Sequence, residues 1–273
     1  MPLPIPARTP SPRQPRTSAR PLTRALIAAL AWLAAAASPA AHAAPPTDAD
    51  VPALLRAADH FRLAADAMQV ETAVTTRLAD GRVDKQRDYT VFAQPGHRSL
   101  VLMRSPAEQG QKVLMLGDDF WLLMPGSQRP LRITAAQKLL GDASTGDIAT
   151  LSWAEDYAGH VVAEERCEAQ PCLHLSLQAQ RKSVSYQRIE LWLGTRHHEP
   201  LQAELFVQSD KLAKRARFVL DKPAPAGQVQ EMLLQDELSS HRETQVRYLR
   251  RTARQVPESW MNPMFLAHNP GLE

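Results

Sequence analysis

Acidic residues are missing from the first 43 positions of the chain, which carry five arginines instead, Arg8, Arg13, Arg16, Arg20 and Arg24. Long apolar runs are missing too. The stretch Ala25–Ala37 is apolar throughout but too short to span a bilayer comfortably; it has the length of the apolar core of a secretory leader. Ala41-His42-Ala43 then offers the small-x-small pattern that signal peptidase cuts. Residues 1–43 therefore read as a cleaved signal peptide, with the periplasm as destination. No cysteine lies near the cleavage point to carry a lipoprotein anchor. Without the leader the 32 basic residues fall to 27 against 29 acidic ones, and the formal charge moves from +3 to −2. Nucleic-acid binding loses its compositional support.

Cysteine is almost absent: only Cys167 and Cys172 occur, in C-E-A-Q-P-C. Two are too few for a structural zinc site of their own, and the spacing is not the C-x-x-C of redox enzymes. The intervening Glu168-Ala169-Gln170-Pro171 looks like a turn, so a disulfide across a hairpin suits an oxidising compartment. Catalytic signatures are lacking as well. There is no G-x-S-x-G, H-E-x-x-H, P-loop or Rossmann fingerprint, no evident nucleophile–base pair, and nothing that implies a cofactor. His197-His198-Glu199 is a compact metal-capable group, but Gly194 and Pro200 beside it favour an exposed turn over a metal site. The pattern argues against an enzyme.

What the chain has in abundance is strand signal. Residues 44–273 are enough for a single domain. Asp50 and Pro52 can open an amphipathic helix through Leu54, Leu55, Ala58, Phe61 and Leu63, ending near Asp66. Strands are then expected near 68–79, 85–93, 98–105, 112–116, 120–124, 160–165, 172–179, 185–193, 200–208, 213–220, 229–238 and 243–253, with Gly, Pro, Asp and Ser between them. Such a series gives a mainly β protein with few helices, a half-open antiparallel β-barrel of about 11–12 strands built as a meander.

Leu173, Leu175 and Leu177, like Ile189, Leu191 and Leu193, alternate with polar residues and define one apolar face. Residues 100–103, 113–116 and 120–124 are apolar on both faces, so a second cover is needed, and the nearby helices are the obvious candidates. The strand series pauses for an insertion at about 134–157. Thr134 can cap a short helix through Gln137, followed by Leu139, Leu140 and Gly141; Ser144 or Thr145 can cap another that carries Ile148, Leu151 and Trp153. The insertion covers either a core or a binding cavity, and Trp121 and Trp153 would line the cavity or fill the core. Glu155-Asp156 either pairs with Arg129 or Arg132 to hold the insertion down or is solvated charge. The apolar tail from Val256 to Leu266 packs outside the barrel or plugs one end.

FWLLMPGSQRPLRI, then LLGDASTGDIA, then WAEDY, then SYQRIELWL, in this order, resemble the outer-membrane lipoprotein-sorting protein family, whose fold is related to the periplasmic carrier LolA and its receptor LolB. Trp121, Pro125, Arg129, Arg132, Gly146, Asp147, Asp156 and Tyr157 carry the likeness, which extends over essentially all of 44–273, including Pro257 and Phe265. The resemblance implies a half-open barrel with a helical lid over a hydrophobic cavity. It also implies a non-enzymatic periplasmic carrier of lipoprotein acyl chains, or another lipid, toward the outer membrane. An inner-membrane lipid exporter, an outer-membrane acceptor, transient membrane contact and a monomeric carrier belong to that picture. Trp121, Leu123, Leu173, Leu175, Leu191 and Leu193 are then expected to line the cavity. Leu139, Leu140, Ile148, Leu151 and Trp153 are expected in the lid, with Arg129, Arg132 and Asp156 holding it. The competing reading is a lipid-sensing or partner-binding module resembling the periplasmic stress regulator RseB, which normally carries a second domain.

Overall fold

The computed structural model describes residues 46–134, 152–168, 170–238 and 242–268. The leader, the helix expected after Thr134, the one capped by Ser144 or Thr145, and the lid residues Leu139, Leu140, Ile148 and Leu151 lie outside the described residues.

A 3-10 turn at Asp48–Asp50 leads into helix α1 (Val51–His60). Pro52 sits in its first turn, where a missing N–H costs nothing. Asp50 holds the N-cap position without capping α1: its carboxylate instead accepts from the Thr47 backbone N–H and hydroxyl, at 2.8 and 2.9 Å. The helix ends at His60, earlier than Asp66, and buries Val51, Leu54, Leu55 and Ala58.

Thirteen strands follow: β1 (Met68–Arg77), β2 (Val83–Gln94), β3 (Arg98–Met103), β4 (Lys112–Leu116), β5 (Asp119–Leu123), β6 (Leu131–Ile133), β7 (Tyr157–Cys167), β8 (Gln170–Ala179), β9 (Arg188–Gly194), β10 (Pro200–Phe206), β11 (Leu212–Leu220), β12 (Val229–Asp236) and β13 (Glu243–Ala253). They form one antiparallel sheet in the order β6-β5-β4-β3-β2-β1-β13-β12-β11-β10-β9-β8-β7, which is not closed. Strand β6 is the one that periodicity does not reveal; three residues between prolines and arginines carry no readable alternation. A four-residue helix, α2 (Trp153–Asp156), runs directly into β7. Cys167 and Cys172 are disulfide-bonded across the β7–β8 hairpin, with their Cα atoms 5.7 Å apart. Glu168, inside that turn, takes a left-handed backbone at φ 50°.

Each face of the sheet is apolar for a different reason. The inner face carries the large core: Val70, Val74, Val91, Val101, Val113, Met115 and Phe120 on one side, and the leucines of β8 and β9 on the other, under α1 and Trp153. The outer face of β2–β5 carries a second cluster of Phe92, Leu100, Leu102, Leu114 and Leu123. Its cover is the C-terminal tail, through Val256, Trp260, Met261 and Leu266, and not the helices near the insertion. Trp260 meets the Phe92 ring edge-on at 5.3 Å, and the Lys112 ammonium donates to the Leu266 carbonyl at 3.2 Å. On β8 and β9 the outer face is polar, as the alternation predicts: His174 stacks on Trp192 and lies 3.2 and 3.0 Å from Glu165 and Glu190. Leu266 is fully buried. Leu266→Ala is expected to lower stability by about 2–5 kcal/mol, read as a fall in the urea midpoint; an unchanged midpoint would show that the tail adds nothing to the fold.

Candidate functional site on the inner face

The inner face is an extended apolar surface to which both halves of the curved sheet contribute. Cross-strand pairing brings Leu173 opposite Leu193, Leu175 opposite Leu191 and Leu177 opposite Ile189, so six large aliphatic side chains stack in three rows. All are at most 1% exposed. Of the residues expected to line a cavity, Leu173, Leu175, Leu191 and Leu193 belong to this surface. Trp121 and Leu123 do not. In β5 it is Phe120 and Leu122 that face inward, which turns Trp121 and Leu123 to the outer face beneath the tail. Period-two alternation made the two sets separable, but in DFWLL both were apolar and the inward one could not be chosen.

Trp153, the one lid candidate among the described residues, is 2% exposed and sits on the inner face. It meets Phe218 edge-on at 5.6 Å, and the Arg62 guanidinium lies over its indole at 4.0 Å. The residues that hold it there come from α1. The buried Asp59 carboxylate accepts from the Ser152 hydroxyl at 3.0 Å and from the backbone N–H groups of Trp153 and Ala154 at 3.1 and 2.9 Å, and pairs with Arg62 at 3.1 Å. One side chain thus caps the start of α2 and ties the chain emerging from the insertion to α1. Asp59 was not singled out from the sequence, where it reads as an ordinary charge on the polar side of a helix.

A second polar group draws the two ends of the curled sheet together. Arg181, in the β8–β9 connection, donates to Asp156 at 2.9 Å and to Asp118 of the β4–β5 turn at 2.6 Å. His97 of the β2–β3 turn, at φ 56°, places Nδ1 3.5 Å from Asp156 and Nε2 3.5 Å from Glu155. The expected pairing of Asp156 with Arg129 or Arg132 is therefore corrected. Arg132 reaches Asp119 on the neighbouring strand, and Arg129 bonds Ser127 through its main chain. The curl of the sheet sets the β8–β9 connection, and not the one between β5 and β6, against α2. The Tyr157 hydroxyl donates to the Tyr186 carbonyl at 2.8 Å and closes the same corner.

The two carboxylates respond to pH in opposite senses. Hydrogen bonds from Ser183 and Arg181 hold Asp118 below its ordinary 3.8, so its contribution is present above 3.8 and fades as pH falls through the lowered value. Its side chain is 65% exposed, so solvent screening keeps that contribution small. Burial pushes Asp59 above 3.8, against the pull of Arg62 and its hydrogen-bond donors. The stability it contributes is complete below 3.8 and declines as pH rises through the raised value. Asp59→Asn, which cannot titrate, is therefore expected to cost most below pH 3.8 and progressively less toward neutrality, measured by denaturant titration across pH. A penalty that grows with pH would contradict this assignment.

The His197, His198 and Glu199 group forms the turn between β9 and β10, with His198 at φ 58°. Among the described residues no three His, Cys, Asp or Glu side chains converge as a metal site would require. No helix among them is long and apolar enough to cross a membrane.

With this geometry in view, likeness to known proteins has a defined meaning. No curated protein matches the sequence. A LolA superfamily protein from Nitrosomonas europaea is 27% identical, with a TM-score of 0.71 over 80% of this chain and 98% of that one. A DUF1329 family protein from Desulfovibrio piger superposes with a TM-score of 0.63 at 19% identity, over 77% of this chain and 95% of that one. A domain described as an outer membrane lipoprotein-sorting protein, from Vibrio parahaemolyticus, does so with 0.63 at 15% identity, over 79% and 97%. A family described as "Uncharacterized protein" matches residues 96–268, well over half of the chain. The chain belongs to that family, and its fold is the half-open barrel of the LolA superfamily and of outer-membrane lipoprotein-sorting proteins.

Proposed function

We propose that the protein is a non-enzymatic periplasmic carrier that shelters the acyl chains of a lipoprotein or another lipid against the inner face, for transfer toward the outer membrane. The observation that carries this reading is the continuous apolar surface of the inner face, assembled from both halves of the sheet and covered, among the described residues, by α1 and Trp153. The likeness to a LolA superfamily protein supports it, as does the leader-like start of the chain.

The energetics follow from transfer out of water. Each CH₂ of an acyl chain contributes about 0.8 kcal/mol when it enters an apolar, water-free site. On the inner face those sites are occupied by Leu54, Leu55 and Trp153, so a chain must displace part of this cover and gain more than it removes. Among the described residues the polar ties of that cover lie at its ends: Asp59 to α2, Asp48 to the Val161 N–H of β7 at 2.9 Å, and the His60 and Phe61 carbonyls to Gln228 and the Val229 N–H at 3.0 and 2.8 Å. The buried leucines are held by apolar contact that an acyl chain can replace. Delivery needs the reverse, a membrane or acceptor that takes the chain while the cover returns. An inner-membrane exporter and an outer-membrane acceptor would supply the two ends of the route.

The full chain, expressed with its own leader and purified from the periplasm under mild conditions, is expected to carry an acyl lipid at near-stoichiometric amounts in native mass spectrometry. Leu122→Glu, which puts a carboxylate at a half-buried inner-face position, is expected to reduce uptake of a fluorescent fatty acid at least tenfold in folded protein. A protein that is free of lipid and takes up no acyl probe would shift the assignment to a partner-binding module.

A further inference from the structure

At the disulfide end of the second half of the sheet, the β9–β10 turn, the start of β8 and the loop after β11 line a solvent-open cavity of about 500 Å³. Its polar lining includes Arg196, His197, Lys222 and Glu199, and Leu201 and Leu220 supply apolar wall. Glu199 is held against Gly194 so closely that a Cβ there would lie 2.3–2.5 Å from the carboxylate; only glycine leaves room. One carboxylate oxygen of Glu199, Oε2, is buried and has no hydrogen-bond partner. A buried acceptor without a donor costs free energy that an incoming N–H or O–H would return.

A smaller cavity of about 210 Å³ shares Leu201 and Gln170 with the first and is bounded by the disulfide-bonded Cys167 and by Phe218. Phe218 is the ring that Trp153 meets on the inner face. Leu201 lines both cavities, and Phe218, which lines the smaller one beside Gln170, Gln202 and Arg217, packs on Trp153, so a path of successive apolar side chains leads from the cationic cavity toward the proposed acyl-chain surface. The disulfide fixes the hairpin that forms its wall.

We propose that the larger cavity binds the headgroup of an amine-bearing phospholipid, a phosphoethanolamine group, whose acyl chain follows that path to the inner face. The inference rests on the carrier reading for the acyl chain. Arg196 and Lys222 present two cations to the phosphate, with the His197 ring beside them, since cationic donors are the strongest partners for phosphate oxygens. The ammonium donates to the orphaned Glu199 oxygen, supplying the partner that the protein lacks. A headgroup with phosphate alone would leave Glu199 unpaired, so selectivity for the amine resides in that side chain. At about 500 Å³ the cavity falls within the usual range for small-ligand sites.

Calorimetric titration of the full chain with dihexanoyl phosphatidylethanolamine, dihexanoyl phosphatidylmethanol, whose headgroup has no N–H or O–H donor, and water-soluble phosphoethanolamine tests this. Tighter binding of the ethanolamine lipid than of the methanol lipid is expected. The double change Arg196→Glu and Lys222→Glu, at two exposed positions, is expected to weaken both lipids at least tenfold without altering the thermal midpoint. Glu199→Gln is expected to weaken the ethanolamine lipid about fivefold and leave the methanol lipid unchanged. Affinities that survive the charge reversal overturn the site, and so do equal affinities for the two lipids. Phosphoethanolamine binding as tightly as the lipid would overturn the lipid source in favour of a soluble phosphate ester. A fluorescent fatty acid, which has no phosphate, reads the carrier surface separately and is expected to bind wild type and variants alike. Fatty-acid uptake with a lipid affinity indifferent to charge reversal overturns the headgroup site alone; no uptake of any acyl probe overturns both.

Discussion

The pairing of β1 with β13 is the constraint on which the rest of the molecule depends. It joins the first and last strands in the middle of the sheet, from Met68 opposite Ala253 to Arg77 opposite Glu243. Every other neighbour in the sheet is also a neighbour in sequence. With the chain ends secured at the centre, the two edges must be the strands on either side of the midpoint, β6 and β7. The open seam of the barrel therefore falls between β6 and β7.

A sheet curled this far and not closed has two problems, and side chains solve both. The strands that turn both faces toward apolar surroundings need two covers: α1 and Trp153 inside, the C-terminal tail outside. Among the described residues no backbone pair joins the β2–β3 and β4–β5 turns to α2 and the β8–β9 connection across the curl; the Arg181 guanidinium, shared by Asp118 and Asp156, does so, with the His97 ring 3.5 Å from Asp156. Such contacts near solvent are individually weak. A barrel closed by them can open at lower cost than one closed by a strand ladder, which suits the proposed carrier role.

The cover of the inner face follows the same logic. Asp59 gathers the start of α2 with three hydrogen bonds and pairs with Arg62. Gln228 and the Val229 N–H tie the end of α1 to the sheet through the His60 and Phe61 carbonyls, and the buried face of α1 meets the sheet through apolar contacts. An acyl chain can replace such contacts like for like. The cationic cavity at the disulfide end adds what an apolar surface lacks, a means to distinguish one headgroup from another.

Much of this was legible in the sequence because it depends on local periodicity. Strict alternation in Leu173–Leu177 and Ile189–Leu193 marks one buried and one wet face wherever those strands end up. The C-E-A-Q-P-C turn closes on itself with little help from the remainder of the fold, and the meander follows from strand lengths and turn residues. What the sequence could not decide were relations between segments far apart along it. Phe120 and Trp121 are both apolar, and only the curvature of the whole sheet selects the first for the inner face and the second for the tail. Asp156 had several arginines within plausible reach, and it is the curl that presents Arg181. Asp59 and Glu199 look like surface charges in a string of letters, and become a helix tie and an unpaired acceptor only once distant backbone closes over them. Local pattern determined the elements and their faces; long-range packing, which has no signature in neighbouring residues, decided which faces and charges meet.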